Sequence, residues 1–499
     1  MDAESRVIAW LAEQDVPAYL VGGWVRDRLR GRPSYDFDVA VDGNGLGLAR
    51  QLANSLGGHY YPLDPERATG RAILDTGERR LIVDIARFRG PGLQADLANR
   101  DFTINALAAD VRTPETVIDH HGGLADLAAG LIRPISEGSI RDDPLRALRA
   151  VRQAVELGFA LAPETEALMR RDGSGLKDVS GERVRDELAR LLAQPHMAHW
   201  LHVLDRLGLL VVLFPELGAL RGLQQSPPHH LTGLAHSLAI VGALEAVIAA
   251  VRHGEGPHDR PAPTPYLIDE AFLQPYRQRL EQHLVENLGY GRPRLVTLKL
   301  SALLHDTGKP EARSVEPDPE TRDGQTGRIR FIGHEVEGAE MAAGVLGRLR
   351  FDRDEVQLAR TIVRHHMRPL LLADQPSVSN RAVYRFFRDT GAGGVDVLLH
   401  ALADHLAIYP PGQGLDRWQR LLALTGRMLA DYWERPSQRV EPPRLVDGHD
   451  LLAAFDLEPG PVIGELLEAV REAQVEGAVN SREEALALAR ERLGGGEPA

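Results

Sequence analysis

Residues 19–42, YLVGGWVRDRLRGRPSYDFDVAVD, are the stretch from which the rest of the chain can be placed. Tyr19 to Val21 form a short apolar strand, Gly22-Gly23 a turn, and a helix opens at Trp24. A loop follows, and a second strand carries Asp36 and Asp38. Residues two apart on a strand share one face, about 7 Å from each other. Two carboxylates there, beside a glycine turn that ends at a helix N-terminus, suit a divalent metal and a polyphosphate. Alone, Asp-Phe-Asp is an ordinary solvent-facing pattern of an edge strand. The glycine turn and Arg26-Asp27 upstream shift the balance toward metal-dependent nucleotide chemistry.

A chain of 499 residues has room for roughly three or four domains with their own cores. Hydrophobic residues at 43% and charged residues at 26% describe an ordinary globular protein. No apolar run is expected to span a bilayer, and MDAESRVIAW has no signal-peptide pattern, so a cytoplasmic protein without membrane partners is expected. The absence of cysteine excludes disulfides and thiolate sites; any metal must take histidine and carboxylate ligands. A net charge of −13 confines RNA binding to a local patch.

Residues 1–135 mix strands and helices: 1–14 reads as an amphipathic helix, 81–85 (LIVDI) and 117–119 (VID) as strands. From Ser139 the helical period dominates, most clearly over 141–157 and 180–192. Polar insertions near 253–265 and 310–328 read as loops, 436–443 as a proline-rich linker, 445–493 as a last helical piece, and GGGEPA as a frayed end. The expected architecture is α+β: a head with a small mixed sheet (1–135), then an all-helical neck (136–200), body (201–435) and tail (436–499).

Two more stretches carry nucleotide chemistry. Arg100 to Ala106, RDFTINA, sits where the chain gives way to a helix; its arginine can reach phosphates, and Asp101 or Asn105 a ribose hydroxyl. Residues 142–152, DDPLRALRAVR, place Asp143, Arg146 and Arg149 near one helix face, able to hydrogen-bond a base edge and neutralise a triphosphate. In isolation, simple Arg–Asp pairing on a solvated helix explains that stretch better.

GGWVRDRL, DFDVAV, RDFTINALA, DDPLRALRAVR and SGERVRDEL together resemble the motif blocks of class II tRNA nucleotidyltransferases and bacterial poly(A) polymerases, over roughly 18–195. The resemblance implies a polymerase-beta-like head in which Asp36 and Asp38 bind catalytic Mg²⁺. It further implies that Gly22, Gly23, Arg26 and Arg100 grip the nucleotide. Asp143 and Arg146 would select CTP or ATP, Arg149 and Arg152 would make further nucleotide contacts, and the tRNA 3′ end would be the acceptor. One departure matters. CCA-adding members carry a flexible loop of some length before the RDFTINA block, associated with switching from CTP to ATP, whereas only residues 90–99 fill that gap here, with 93–99 already helix-like. Members lacking the loop resemble CC-adding enzymes, so CC addition is the expectation. A poly(A) polymerase, or a hydrolase with a nucleotide-sensing head, is the alternative.

The middle of the chain carries His236, His305-Asp306, His334, His365-His366 and Asp404, each in or beside a helix. Histidine and aspartate suit Mg²⁺ or a transition metal that generates hydroxide near neutral pH. The set resembles an HD-type metal phosphohydrolase over roughly 229–408. By that resemblance His236, His305, Asp306 and Asp404 hold one metal, His334 and His366 a second, and Lys309 contacts a substrate phosphate. A degenerate scaffold domain is the alternative. In the tail, Glu472, Glu476, Glu483 and Glu484 read as a solvated face and Gly464 as a turn facing RNA phosphate.

Overall fold

The opening stretch lies at the centre of a seven-stranded mixed sheet. Its strands are β1 (Ala18–Val21), β2 (Asp36–Val41), β3 (His59–Asp64), β4 (Thr69–Asp75), β5 (Arg80–Arg87), β6 (Leu107–Asp110) and β7 (Val117–Asp119), in the order β3-β4-β5-β2-β1-β6-β7. Only β2 and β5 run parallel; the other pairs are antiparallel. In β2 the side chains alternate: Phe37 and Val39 are buried, while Asp36 and Asp38 face solvent. Phe37, Val39, Val83 and Ile85 pack with Leu11 and Leu52 of the helices Ala3–Ala12 and Gly45–Leu56. The sheet is thus anchored on one face, leaving the Asp36/Asp38 face for the site.

This computed structural model describes residues 2–77, 80–252, 273–316, 327–410 and 412–494. The insertion read at 253–265 and the terminal 495–499 lie outside them. The chain divides into two compact units, Met1–Leu191 with Leu204–Leu213, and Leu192–Val203 with Phe214–Ala499.

In the first unit, the single helix expected over 141–157 is two, Ser139–Asp142 and Leu145–Leu157. Pro144 is the cause: its ring excludes the preceding residue from the helical region, and Asp143 is extended at φ −144°, ψ 95°. Asp143 therefore precedes the helix that carries Arg146 rather than sharing it. The RDFTINA block forms a 3-10 turn (Thr103–Asn105) that enters β6, not a helix.

The second unit is almost wholly helical. Gly233–Arg252, Arg294–Leu304, His334–Arg348, Arg353–His365 and Gly393–Ile408 form its centre. Gly308 lets two of them meet: a Cβ there would stand 2.3 Å from the His334 carbonyl oxygen and 2.6 Å from the Gly338 nitrogen. The expectation of no membrane-length run is corrected at Gly233–Val251, 19 residues of mean hydropathy 2.0, although 67% of that window is buried against the fold. Within the stretch expected as a loop at 310–328, Arg313–Glu316 is a strand that pairs antiparallel with Arg328–Phe331; 317–326 lie outside the described residues. The tail helices Gly448–Phe455, Pro461–Val475 and Arg482–Gly494 share a small core of Leu451, Leu466, Val470 and Ala485. Its glutamates are not simply solvated: Glu472 takes both arms of Arg385 (2.5 and 2.8 Å), and Glu476 accepts the Arg381 amide at 2.7 Å. Gly464 lies inside a helix, not at a turn.

Candidate active site and candidate metal centre

The strand register sets the head's chemistry. Asp38 stands opposite Val21 of β1 and Asp84 of β5. Gly22, at φ +71°, brings the turn so close that a Cβ would meet Asp38 Oδ2 at 2.8 Å and Arg100 Nη1 at 3.0 Å. Only glycine serves there. Asp38 keeps an open face to solvent, but the protein packed around it at the cleft floor strips enough water to push its carboxyl up to about 6; Arg100 opposes the shift, while Asp84, Asp36 and Asp101 reinforce it. Carboxylates crowded so closely that one of them, Asp38, resists ionisation make a site suited to a cation. Asp84 is braced by a forked pair with Arg71, both contacts 2.7 Å.

Around this floor the arginines are held, not loose. Arg26 reaches Asp27 at 2.9 Å and Asn105 Oδ1 at 2.8 Å; Asn105 donates to Asp101 (2.9 Å) and Gln153 (3.0 Å). Arg100 pairs with buried Asp96 at 3.1 Å. Asp101 stays ionised despite its burial because Arg149, Asn105 and the Phe102 amide hold its carboxyl below the usual range. Glu187 accepts from both Arg149 (3.1 Å) and Arg152 (2.6 Å), and Asp143 pairs with Arg183 at 2.9 Å. Gly22, Gly23, Arg26, Asp36, Asp38, Arg100, Asp143, Arg146, Arg149 and Arg152 all line one cleft of about 1990 Å³. Sequence reasoning gave Glu187 and Asp96 no role; the one available signal was Glu187 within the SGERVRDEL block.

The short link is closed down. Gly90 and Gly92 take positive φ, and Leu93–Ala98 is a helix. Asn99 Nδ2 donates to the carbonyls of Arg89 (2.9 Å) and Ala95 (2.8 Å), while Arg146 donates to the Asn99 carbonyl at 2.9 Å. The link is thereby wired to the arginine read as base-selecting.

The second unit brings the histidine–aspartate set together. His236, His305, Asp306, His334, His366 and Asp404 are all buried. Ligand atoms of His236, His305 and Asp404 lie within 4.8 Å of one another, as do those of His305, Asp306 and His366. His334 Nε2 is 3.4 Å from Asp306 and 3.3 Å from His366 Nε2; His365 lies outside the cluster's core. The Nδ1 atoms of His305, His334 and His366 are 2.8, 2.7 and 2.6 Å from backbone carbonyls, which fixes the Nδ1–H tautomer and frees Nε2. His236 Nε2 and Asp404 Oδ1 approach to 3.0 Å without hydrogen-bond alignment. Lone pairs converging in this way fit a cation. Lys309 is committed elsewhere: it is buried, 2.6 Å from both Asp306 and Gln225, rather than open to a phosphate. His400, which the sequence reading passed over, also lies here, its ring 5.0 Å from that of His305.

Residues 18–133 match the family described as Poly A polymerase head domain, and 279–406 the HD domain. The chain is 34% identical over 477 residues to the A-adding tRNA nucleotidyltransferase of Deinococcus radiodurans, covering 94% of both. It is 33% identical over 492 residues to the CC-adding tRNA nucleotidyltransferase of Thermus thermophilus, covering 96% of this chain and 95% of that one. Head and body are thus those of a metal-dependent nucleotidyltransferase joined to an HD domain. The chain belongs to the tRNA nucleotidyltransferase family. Its fold is shared with the Thermotoga maritima CCA-adding enzyme complexed with tRNA (TM-score 0.58, 21% identity, 99% of this chain and 96% of that one). The same holds for a CCA-adding enzyme in complex with CTP (TM-score 0.62, 21% identity, 99% and 96%).

Proposed function

We propose that this enzyme adds two cytidines from CTP to the 3′ end of tRNA and stops at CC. The observation that carries the reading is the 90–99 link, stitched by Asn99 to Arg89 and tied to Arg146. An arginine anchored to a link with no slack gives the base pocket one setting. In this reading Asp36 and Asp38 hold Mg²⁺, which supplies charge stabilisation for in-line transfer to the 3′-hydroxyl. Gly22 and Gly23 let the backbone approach the triphosphate. Arg26, Arg100, Arg149 and Arg152, already oriented by carboxylates and Asn105, spend their remaining N–H groups on its oxygens. Asp143 and Arg146 face the base. Relatives named for CC and A addition align over nearly the whole chain, so a poly(A) polymerase or a sensing head is not favoured. Primer extension on tRNAs ending at the discriminator, C and CC, with each nucleotide separately, tests the proposal. Two cytidines on the first and nothing on the third are expected. Robust AMP addition to the CC end overturns it.

The body cluster favours a second activity, hydrolysis of phosphoesters such as 2′,3′-cyclic or 2′-phosphates at RNA ends. Asp306 and Asp404 set against Lys309 leave the centre with one net negative charge, so the first dication bound already makes it cationic and able to attract a phosphoester. Full-length enzyme with Mn²⁺, Ni²⁺ or Mg²⁺ should open a terminal cyclic phosphate, and His305→Ala should abolish it. No turnover with any of the three metals leaves the body as scaffold.

A further inference from the structure

His400 is fully buried on Gly393–Ile408, four residues before Asp404, so both side chains leave the same face of that helix. Its neighbours Val397, Leu398, Leu399, Ala401, Leu402 and Ala403 are apolar and buried. Its ring lies 5.0 Å from that of His305 and 5.5 Å from that of His366, the two histidines that belong to the converging ligand sets. Neither of its ring nitrogens has a hydrogen-bond partner among the described residues.

A neutral imidazole carries one N–H donor and one acceptor, and a buried donor left unpaired costs as much as a lost hydrogen bond. Leucine or phenylalanine would fill the same space without that cost. The absence of a protein partner, with the rings of His305 and His366 as its neighbours, points to a partner held at those converging ligands. His400 stands outside both sets of converging ligand atoms, so it addresses what the cations bind rather than the cations themselves.

We infer that His400 is a positioning residue of the body's metal centre, hydrogen-bonding a non-protein ligand of that centre, a water or a phosphoryl oxygen. The inference rests on the reading of the body as a metal site. Groups that hold the ligands of a metal are worth about 10- to 100-fold in its affinity.

The test uses the full chain, Mn²⁺ as the probe, and His400→Phe, which keeps bulk and removes both polar atoms. In EDTA the variant should melt at or above wild type, because an unpaired buried group has been removed. With Mn²⁺ its stabilisation should shrink, and the calorimetric Kd for Mn²⁺ should weaken about 10-fold or more. A purely structural His400 gives the opposite pair of results, a lower melt in EDTA and an unaltered Mn²⁺ response, and that overturns the inference. If phenylalanine overpacks, His400→Leu and His400→Gln carry the same comparison: the loss of affinity should appear with leucine and be partly regained with glutamine. Equal affinities for the two overturn it. Wild-type protein that binds no Mn²⁺ sinks the metal reading itself, an outcome distinct from Mn²⁺ binding that ignores residue 400.

Discussion

Asp38→Asn should lower single-turnover CTP incorporation by at least about 10³-fold, roughly 4 kcal/mol of transition-state stabilisation, while making the metal-free protein more stable at neutral pH. The two effects have one origin. Asp38 is crowded by Asp36 and Asp84 on a floor partly stripped of water, and its carboxyl is pushed up to about 6 from 3.8. Well below pH 3.8 the group is protonated in both folded and unfolded chains and contributes nothing. As pH rises toward 6 the unfolded chain ionises first, so the folded state loses stability; above 6 the penalty is complete. Asparagine removes the penalty, but because Asp38 faces solvent the gain should be only a few degrees. Melting curves in EDTA at pH 4, 5.5 and 7.5 should show wild type and variant converging at the acid end. A variant less stable than wild type at pH 7.5 would make Asp38 a bracing residue and leave Asp36 alone as the metal candidate.

Glu187→Ala should cost about 3 kcal/mol of stability, a fall of about 6–12 °C in the melting temperature of a unit this size. Glu187 is buried and takes the guanidiniums of Arg149 and Arg152 on its two oxygens. Removing it leaves both cations short of their partner, and Arg149 then rests on Asp101 alone at 3.4 Å. KM for CTP should rise as well, since the same arginines line the cleft. Arg152 lies mostly out of solvent, so the pair is not the exposed kind worth well under about 1 kcal/mol. Urea titration and CTP kinetics on the same preparation decide it: a loss below about 1 kcal/mol would show that the network is decorative.

The strand–turn–helix–strand frame was legible because its signals are local. Alternation over DFDVAV and the glycine pair each determine geometry within a few residues. The other strands were harder. β6, LAAD, is apolar and buried without alternation, which four residues cannot separate from helix. β3, HYYPLD, is largely exposed on both faces and contains a proline. The break at Asp143 was visible in Pro144 but was overridden by a strong helical period on either side. Glu187 and the partners of the tail glutamates were out of reach for a different reason. A charge that will be matched 35 residues away, as Glu187 is by Arg152, looks like any solvated charge until the chain folds. His400 sits at helical spacing from Asp404, yet an isolated histidine in an apolar helix carries no mark of its task.

The Asn99–Arg146 contact has a consequence for arithmetic. A flexible pocket can count by changing shape, presenting one surface to the first nucleotide and another to the last. A pocket held by the carbonyl of a ten-residue link presents the second cytidine with what it presented to the first. On the proposed CC addition, the halt after two would come from the growing strand, as its end runs out of room to draw back and offer a fresh hydroxyl to Asp36 and Asp38. The protein would hold the letter, and the RNA would keep the count.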